Sequence, residues 1–217
     1  LLHGSGGDET AWLDLGHMAR IMDNLIAEGK CVPMIVVMPN GNFGKQAAAG
    51  ETAENLAFRP VSTHLLPHYK DGLFELAFPE IVNYVDATFN TIPDKAHRAI
   101  AGLSMGGMHT LMITANYPDM FNYIGLYSAG VDFSHLNMEE VPAYANLDAK
   151  LTKLAQGNPK LYWIACGNED WLLPANKRLM ERMDKDGLKY TFHESPRGHL
   201  WCNWRQYSLL FIPQLFK

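Results

Sequence analysis

One stretch decides the fold: Ala99-Ile100-Ala101-Gly102-Leu103-Ser104-Met105-Gly106-Gly107. Its apolar start, residues 99–101, predicts a strand, and helix formers follow from Met108 to Ala115. Between them Ser104 lies in a Gly-X-Ser-X-Gly turn, and this order of strand, turn and helix is typical of a nucleophile elbow. The flanking glycines let strand and helix pass close to a strained serine. A glycine-rich turn with a chance serine also fits the motif, so its partners in the chain must decide.

The composition is that of an ordinary globular domain. The 217 residues suit a single domain spanning 1–217, and they are 47% apolar and 19% charged. A net charge of -5, a pI near 6.0 and the lack of a Lys/Arg run argue against nucleic acid as a partner. No apolar run approaches the ~20 residues of a membrane span, so we expect no membrane segment.

The first residues, Leu1-Leu2-His3-Gly4, are typical of the end of a strand. They include neither an initiator Met nor a signal peptide, so we expect further residues upstream, including one or more strands of the sheet.

Apolar patterns alternate between strand and helix along the chain. Helices are predicted at Met18 to Glu28, at Phe78 to Phe89 with Pro79 in its first turn, and at Pro174 to Gly187. The closing segment, Trp204 to Phe216, is predicted to be helical as far as Pro213. Strands are predicted at Met34 to Met38, which is expected to be buried on both faces, Tyr123 to Ser128, Leu161 to Cys166 and Lys189 to His193. The alternation predicts an α/β fold with a mostly parallel central sheet and helices on both faces.

The segment from Asn42 to Asp71 is long, polar and without a clear period. Such a segment inside a compact domain favours a loop that covers or borders a functional site. His64 and His68 lie within it at a spacing that metal pairs use. Pro67 between them argues against a helix, however, so we interpret both as solvated loop histidines.

Small residues after His3-Gly4 predict a second place where backbone N–H groups face an anion. The N–H of Ser5 is the expected donor, with Gly6 as the alternative, and the N–H of Met105 is the expected donor from the elbow. Neither Gly-X-Gly-X-X-Gly spacing nor a P-loop ending is present, which disfavours a phosphate site.

Two further residues follow predicted strands in the order of a Ser, acid, His triad. Asp170 comes after the strand 161–166, and His199 comes after the strand 189–193. Because parallel strands end at the same sheet edge, both side chains are expected beside Ser104. His199 would carry the Ser104 proton, and Asp170 would fix the imidazole tautomer.

Each of these residues has a rival. Glu169 is the alternative acid, but Asp170 lies further from the strand end and has a shorter side chain. His193 lies within a predicted strand, which makes it a poorer base than His199. We interpret His3 and His109 as structural histidines that satisfy buried backbone groups.

The sequence does not decide the roles of some residues near the predicted site. Trp171 and Trp201 flank Asp170 and His199 in sequence and could wall a pocket for an aromatic or sugar ring, or belong to the core. The three cysteines, Cys31, Cys166 and Cys202, allow one disulfide at most, and a bond between Cys166 and Cys202 is possible but not required.

With these motifs in place, the chain resembles the esterase D-like α/β-hydrolases, specifically the carbohydrate esterase family of feruloyl and acetyl xylan esterases. The resemblance spans nearly the whole chain. The motifs that carry it are Leu2-His3-Gly4 with Gly6-Gly7, Arg98 to Gly107, Tyr117-Pro118 with Phe121, Cys166-Gly167 with Asp170, and Gly198-His199 with Trp201 and Trp204-Arg205. The resemblance implies an α/β-hydrolase fold, with Ser104, Asp170 and His199 as nucleophile, acid and base and with Ser5 and Met105 as oxyanion donors. It also implies action without a metal or other cofactor, and export.

The expected function is that of a secreted or periplasmic serine esterase that releases ferulate from arabinoxylan through an acyl-enzyme, its partners being feruloylated or acetylated xylan or oligosaccharides. The alternatives are an acetyl xylan esterase, a thioesterase resembling S-formylglutathione hydrolase, and a non-catalytic carbohydrate-binding relative that keeps the fold.

Overall fold

Four parallel strands form the centre of the structure, a computed structural model that describes residues 1–41, 71–134 and 137–217. The strands lie side by side in their order along the chain, β1-β2-β3-β4. They are β1 (Ala99–Leu103), β2 (Tyr123–Tyr127), β3 (Leu161–Gly167) and β4 (Thr191–Ser195). The predicted mostly parallel sheet is therefore confirmed.

Seven α-helices surround the sheet in the described part of the chain. They are α1 (Ala11–Asp14), α2 (Met18–Ala27), α3 (Leu73–Thr88), α4 (Met105–Asn116), α5 (Leu147–Gln156), α6 (Leu173–Asp186) and α7 (Trp201–Phe211). Short 3₁₀ turns lie at Lys95–His97, Met138–Glu140 and Ile212–Gln214. None of the described helices is both long enough and apolar enough to cross a membrane.

Alternate side chains of the strands build two separate cores, one on each face of the sheet. In β3, Tyr162 and Ile164 pack with apolar residues of α3 to α6, whereas Trp163 and Ala165 pack with those of α2 and α7. Strands buried on both faces need helices on both sides, and the two cores supply that cover. The fold is the expected α/β-hydrolase arrangement.

Helix α4 is the central helix, and its residues from Met105 to Ala115 are all buried. It begins directly at the elbow, where it crosses β1 so closely that side chains are excluded. A Cβ on Gly102 would collide with the backbone carbonyl of Gly106, and a Cβ on Gly106 would lie 2.5 Å from the carbonyl oxygens of Leu2 and His3. The two glycines thus allow strand, helix and the first residues of the chain to meet.

The prediction of a fully buried strand at Met34 to Met38 is wrong. These residues form no strand, and Ile35 is 52% exposed. A strand needs a neighbour that pairs along its length. In the described structure, the backbone of this segment accepts one bond, from the Leu1 amino group to the Val37 carbonyl at 2.8 Å, while Leu2 pairs with β1 as an isolated bridge to Gly102.

Several predicted element boundaries are corrected by the structure. Helix α3 begins at Leu73 and not at Phe78, so Pro79 lies inside the helix and not in its first turn. Strand β4 starts two residues after the predicted Lys189, and α7 starts at Trp201, three residues before the predicted Trp204. Residues 42–70 of the predicted loop, which include His64 and His68, lie outside the described part of the chain.

The close contact at Gly102 predicts a large loss of stability on Gly102→Ala. Because the nearest atoms to the added methyl are backbone atoms of Gly106, which cannot move aside as a flexible side chain can, the free energy of unfolding should fall by about 3 kcal/mol or more. The matched control is Gly187→Ala, where φ is +74° but no atom lies within 4 Å, and it should cost only about 1 kcal/mol. Urea titration measures both, and equal losses would contradict the proposed packing.

Candidate active site

Ser104 occupies a sharp turn between β1 and α4. Its backbone has φ +52° and ψ -116°, and residues other than glycine rarely adopt such a positive φ. Two hydrogen bonds to the neighbouring strand region hold it there, from the Ser104 N–H to the Tyr127 carbonyl at 2.9 Å and from the Gly130 N–H to the Ser104 carbonyl at 2.8 Å. The serine side chain is thereby lifted onto the carboxyl edge of the sheet, as an elbow requires.

Asp170 and His199 form a hydrogen-bonded pair at the same edge. His199 Nδ1 lies 2.9 Å from Asp170 Oδ2, and the carboxylate is fully buried while the imidazole keeps 10% of its surface exposed. The carboxylate oxygen accepts from Nδ1, which leaves Nε2 unprotonated and available as a base. No hydrogen bond joins Ser104 and His199 among the described residues, and such bonds are often loose before substrate binds.

The hydrogen bonds around Asp170 keep this residue ionised despite its burial. Burial by itself raises the pKa of Asp170. Donation from His199 and from the Leu172 N–H at 2.9 Å outweighs burial, so that the pKa lies below its usual value. The carboxylate is therefore negative at neutral pH and can stabilise a charged imidazolium.

Backbone hydrogen bonds tie the turn that carries Asp170 to the turn that carries His199. The Asn168 N–H donates to the Ser195 carbonyl at 2.7 Å, and the Glu169 N–H donates to the Arg197 carbonyl at 3.0 Å. These bonds continue the pairing of β3 with β4 beyond the strand ends. The acid and the histidine are thus positioned by main chain, independently of the side chains at the turns.

Asn203 stabilises the turn that carries His199, and the sequence analysis did not identify it. Its Nδ2 group donates to the carbonyls of Pro196 and Gly198, each at 3.0 Å. Between these carbonyls Arg197 has a φ of +70°, a conformation that needs such support. The available signal was an Asn directly before Trp204, on the face of α7 that Trp204, Tyr207 and Phe211 bury.

The loop expected to supply an oxyanion donor packs directly on the elbow. A Cβ on Gly4 would lie 3.3 Å from Ser104 Cβ, so the residue directly before Ser5 packs against the serine. Within the described residues, the N–H groups of Ser5 and Met105 have no acceptor. Two unpaired donors beside a serine can stabilise negative charge on a substrate oxygen.

His3 fixes this loop as a neutral histidine. It is 2% exposed, its Nδ1 lies 2.8 Å from the Gly4 carbonyl, and its Nε2 accepts from the Gly41 N–H at 2.8 Å. Both partners are backbone groups, in line with the structural role expected of it. Burial lowers the pKa of His3, which agrees with the tautomer that the two bonds demand.

His109 has a different partner from the backbone group that the sequence suggested. Its Nδ1 lies 2.7 Å from Glu75 Oε1, both side chains are 1% exposed, and Tyr144 donates to the same carboxylate at 3.2 Å. A buried carboxylate needs such partners. His109 is therefore structural, as expected, but the group that it satisfies is a buried carboxylate and not a backbone group. Glu75 was not identified from the sequence because the predicted helix began at Phe78.

Neither of the other two candidate residues, Glu169 and His193, takes part in the hydrogen bond between Asp170 and His199. Glu169 is exposed, and the carboxylate that pairs with His199 is that of Asp170. His193 lies within β4, half-buried, with its ring stacked on Trp163 at 5.8 Å between centroids. Its place in a strand matches the reason for which the sequence analysis set it aside.

The two tryptophans singled out from the sequence differ in their surroundings. Trp171 is 70% exposed, and its ring centroid lies 4.2 Å from that of His199. Trp201 is half-buried and packs edge-on against Trp12 at 5.2 Å and Trp204 at 5.1 Å. Only Trp171 offers an open aromatic face beside the histidine.

All three cysteines are free, including Cys166 and Cys202, so the bond left open by the sequence does not form. Burial raises the pKa of the Cys166 thiol to about 12. The described residues contain no group of three His, Cys, Asp or Glu side chains that could hold a metal ion.

A separate apolar groove of about 660 Å³ lies away from these residues. It is bordered by the extended segment 32–37, by α3 and by the first residues of β1, and it includes none of Ser104, Asp170 and His199. Ser104, Asp170 and His199 lie instead beyond the carboxyl ends of their strands.

A protein-family model matches almost the whole chain. The family model described as "Esterase: Putative esterase" covers residues 1–209 of the chain. The chain belongs to this esterase family. Family membership confirms the resemblance to esterases that was drawn from the motifs.

Curated relatives include proteins with named ester substrates. The chain is 40% identical over its whole length to an endo-1,4-beta-xylanase/feruloyl esterase of Xylanibacter ruminicola, of which it covers 26%. It is 27% identical over 59% of its length to an acetyl esterase of Caldicellulosiruptor saccharolyticus, of which it covers 58%. The chain therefore spans from about a quarter to somewhat more than half of these two relatives.

Solved structures of related fold cover almost the whole chain. A ferulic acid esterase shares 25% identity with a TM-score of 0.73, the match covering 98% of this chain and 81% of that one. A ferulic acid esterase of Anaeromyces mucronatus gives the same TM-score of 0.73 at 21% identity, with 99% and 77% covered. An S-formylglutathione hydrolase of Staphylococcus aureus gives 0.69 at 20% identity, with 98% and 79% covered. The last two support the fold.

The buried neutral state of His3 predicts that stability depends on pH. Its pKa is lowered in the folded protein relative to 6.5, so the unfolded chain binds the proton more tightly. Stability should therefore fall as the pH drops below about 6.5.

The variant His3→Asn should show a shallower fall between about pH 6.5 and pH 5 in urea titrations, because the titrating group is gone. His17→Asn, at an exposed histidine, is the matched control and should keep the wild-type slope. An unchanged slope in His3→Asn would show that His3 does not titrate in this way.

Proposed function

We propose that this chain is a serine esterase domain that removes ferulate from arabinoxylan through an acyl-enzyme. The observation that carries the proposal is the Asp170–His199 hydrogen bond of 2.9 Å, at the sheet edge where Ser104 occupies its strained elbow. A binding protein has no need of a buried carboxylate that orients a histidine beside an elbow serine. The similarity to named feruloyl esterases supports ferulate as the acyl group.

Each residue has a defined part in the proposed reaction. His199 Nε2 takes the Ser104 hydroxyl proton as the oxygen attacks the ester carbonyl, and the N–H groups of Ser5 and Met105 stabilise the resulting oxyanion. His199 then gives the proton to the leaving alcohol. Water, activated by the same histidine, attacks the acyl-enzyme and releases the acid. Asp170 stabilises the imidazolium in both halves of the cycle.

The proposed setting follows from the substrate. Arabinoxylan is a polymer and does not cross a cell membrane, so an enzyme acting on it works outside the cytoplasm. We infer that this domain is exported, in line with the resemblance to exported esterases. An acetyl xylan esterase is the second candidate, because an acetyl esterase is among the relatives.

The test of the proposed function compares two esters on the same protein. We expect a higher kcat/KM on methyl ferulate than on a small aryl acetate. Ser104→Ala should lower kcat by roughly 10⁴-fold or more on the preferred ester, because it removes the nucleophile. A preference for the acetate would move the substrate to acetylated xylan. Unchanged turnover in Ser104→Ala would remove the triad assignment, and no turnover of either ester by the wild type would favour the carbohydrate-binding relative.

The role of Asp170 is tested by Asp170→Asn. The amide keeps the size of the side chain but cannot stabilise an imidazolium, and it favours the wrong tautomer of His199, so kcat should fall by roughly 10³–10⁴-fold. The neighbouring Glu169→Gln, at the exposed rival, is the matched control and should retain catalysis. If Glu169→Gln loses more activity than Asp170→Asn, the acid has been misassigned.

A further inference from the structure

Trp171 is the most exposed large apolar side chain in the described part of the chain, at 70%. Single exposed apolar residues are common on protein surfaces and need no explanation. This one differs because its ring packs on the imidazole of His199, with 4.2 Å between centroids and a tilt of 42°. An open indole face therefore lies directly beside the group that handles protons in the proposed reaction.

The chemistry of ester cleavage says which part of a substrate meets this face. His199 Nε2 must come within hydrogen-bond distance of the leaving oxygen to protonate it. Whatever is bonded to that oxygen then lies against the exposed surface around His199. Asp170 occupies the Nδ1 side of the ring, and Trp204 packs edge-on at 4.8 Å, so that within the described part of the chain Trp171 is the exposed aromatic side chain in contact with His199.

The surroundings of Trp171 suit a sugar. Asn168 and Glu169 are exposed on the turn before it, and the Glu169 N–H bonds to the carbonyl of the exposed Arg197 at 3.0 Å. Exposed polar residues thus lie on the turn that precedes Trp171 and on the turn hydrogen-bonded to it. A pyranose or furanose ring has the matching chemistry, with an apolar C–H face and hydroxyl groups at its edge.

We propose that Trp171 binds the sugar of the leaving alcohol and makes the domain prefer esters of carbohydrates over esters of simple alcohols. This inference rests on the proposed esterase function, but it concerns the alcohol side of the ester and is independent of which acyl group is removed. Trp171 stacks on the sugar while His199 protonates the oxygen that links it to the acyl group.

The experiment compares two esters that share the acyl group and differ in the alcohol: a feruloylated arabinoxylan oligosaccharide and methyl ferulate. In Trp171→Ala, the ratio of kcat/KM on the oligosaccharide to kcat/KM on methyl ferulate should fall about tenfold or more, the effect of losing one good apolar contact. Trp171→Phe keeps an aromatic face and should retain most of the ratio. Tyr84→Ala, at an aromatic residue 66% exposed on α3, should leave the ratio unchanged.

Two results would overturn the proposal. An equal fall on both esters in Trp171→Ala, with the ratio kept, would mean that the indole only orients His199. An unchanged kcat/KM on both would make Trp171 a bystander. If the wild type cleaves neither ferulate ester, the ferulate function is wrong, and an acetylated xylo-oligosaccharide against an aryl acetate then decides the role of Trp171 by the same ratio.

Discussion

The close approach of β1 and α4 at Gly102 and Gly106 is the constraint on which the rest of the structure depends. Without side chains at these positions, helix α4 starts immediately after the strand and forces Ser104 into a left-handed backbone. The strain is held by hydrogen bonds to Tyr127 and Gly130 in the next strand region. Because Gly106 also packs against the backbone of Leu2 and His3, the close approach at the start of α4 positions both Ser104 and the loop beside it.

The fold was predictable where local pattern and local geometry agree. The strands β1, β2 and β3 are short apolar runs bounded by turn residues, and the elbow has a motif whose glycines have a steric purpose. The segment Met34 to Met38 has the same pattern, yet it forms no strand because pairing depends on a neighbour and not on its own composition. Helix α3 was misplaced because Pro79 favours a first turn, whereas the packing of Phe74 and Phe78 extends the helix before it.

The positions of the three candidate residues were predictable from the sequence, and the residues that support them were not. Ser104, Asp170 and His199 follow strand ends in a recognisable order, so topology alone brings them to one edge. Asn203 and Glu75 act through contacts with residues that are paired only in the folded chain. Glu75 is a charged residue in an apolar helix start, and its burial makes sense only once His109 and Tyr144 surround it.

The turns that carry Asp170 and His199 are joined through their main chains, by the bonds from Asn168 and Glu169 to Ser195 and Arg197. Main-chain bonds survive most changes of side chain. The exposed positions 168 and 169 can therefore accept new residues without moving the acid from the histidine, whereas position 197, at a φ of +70°, favours residues that tolerate this conformation. The composition of the surface around the candidate site can thus vary independently of the Asp170–His199 geometry.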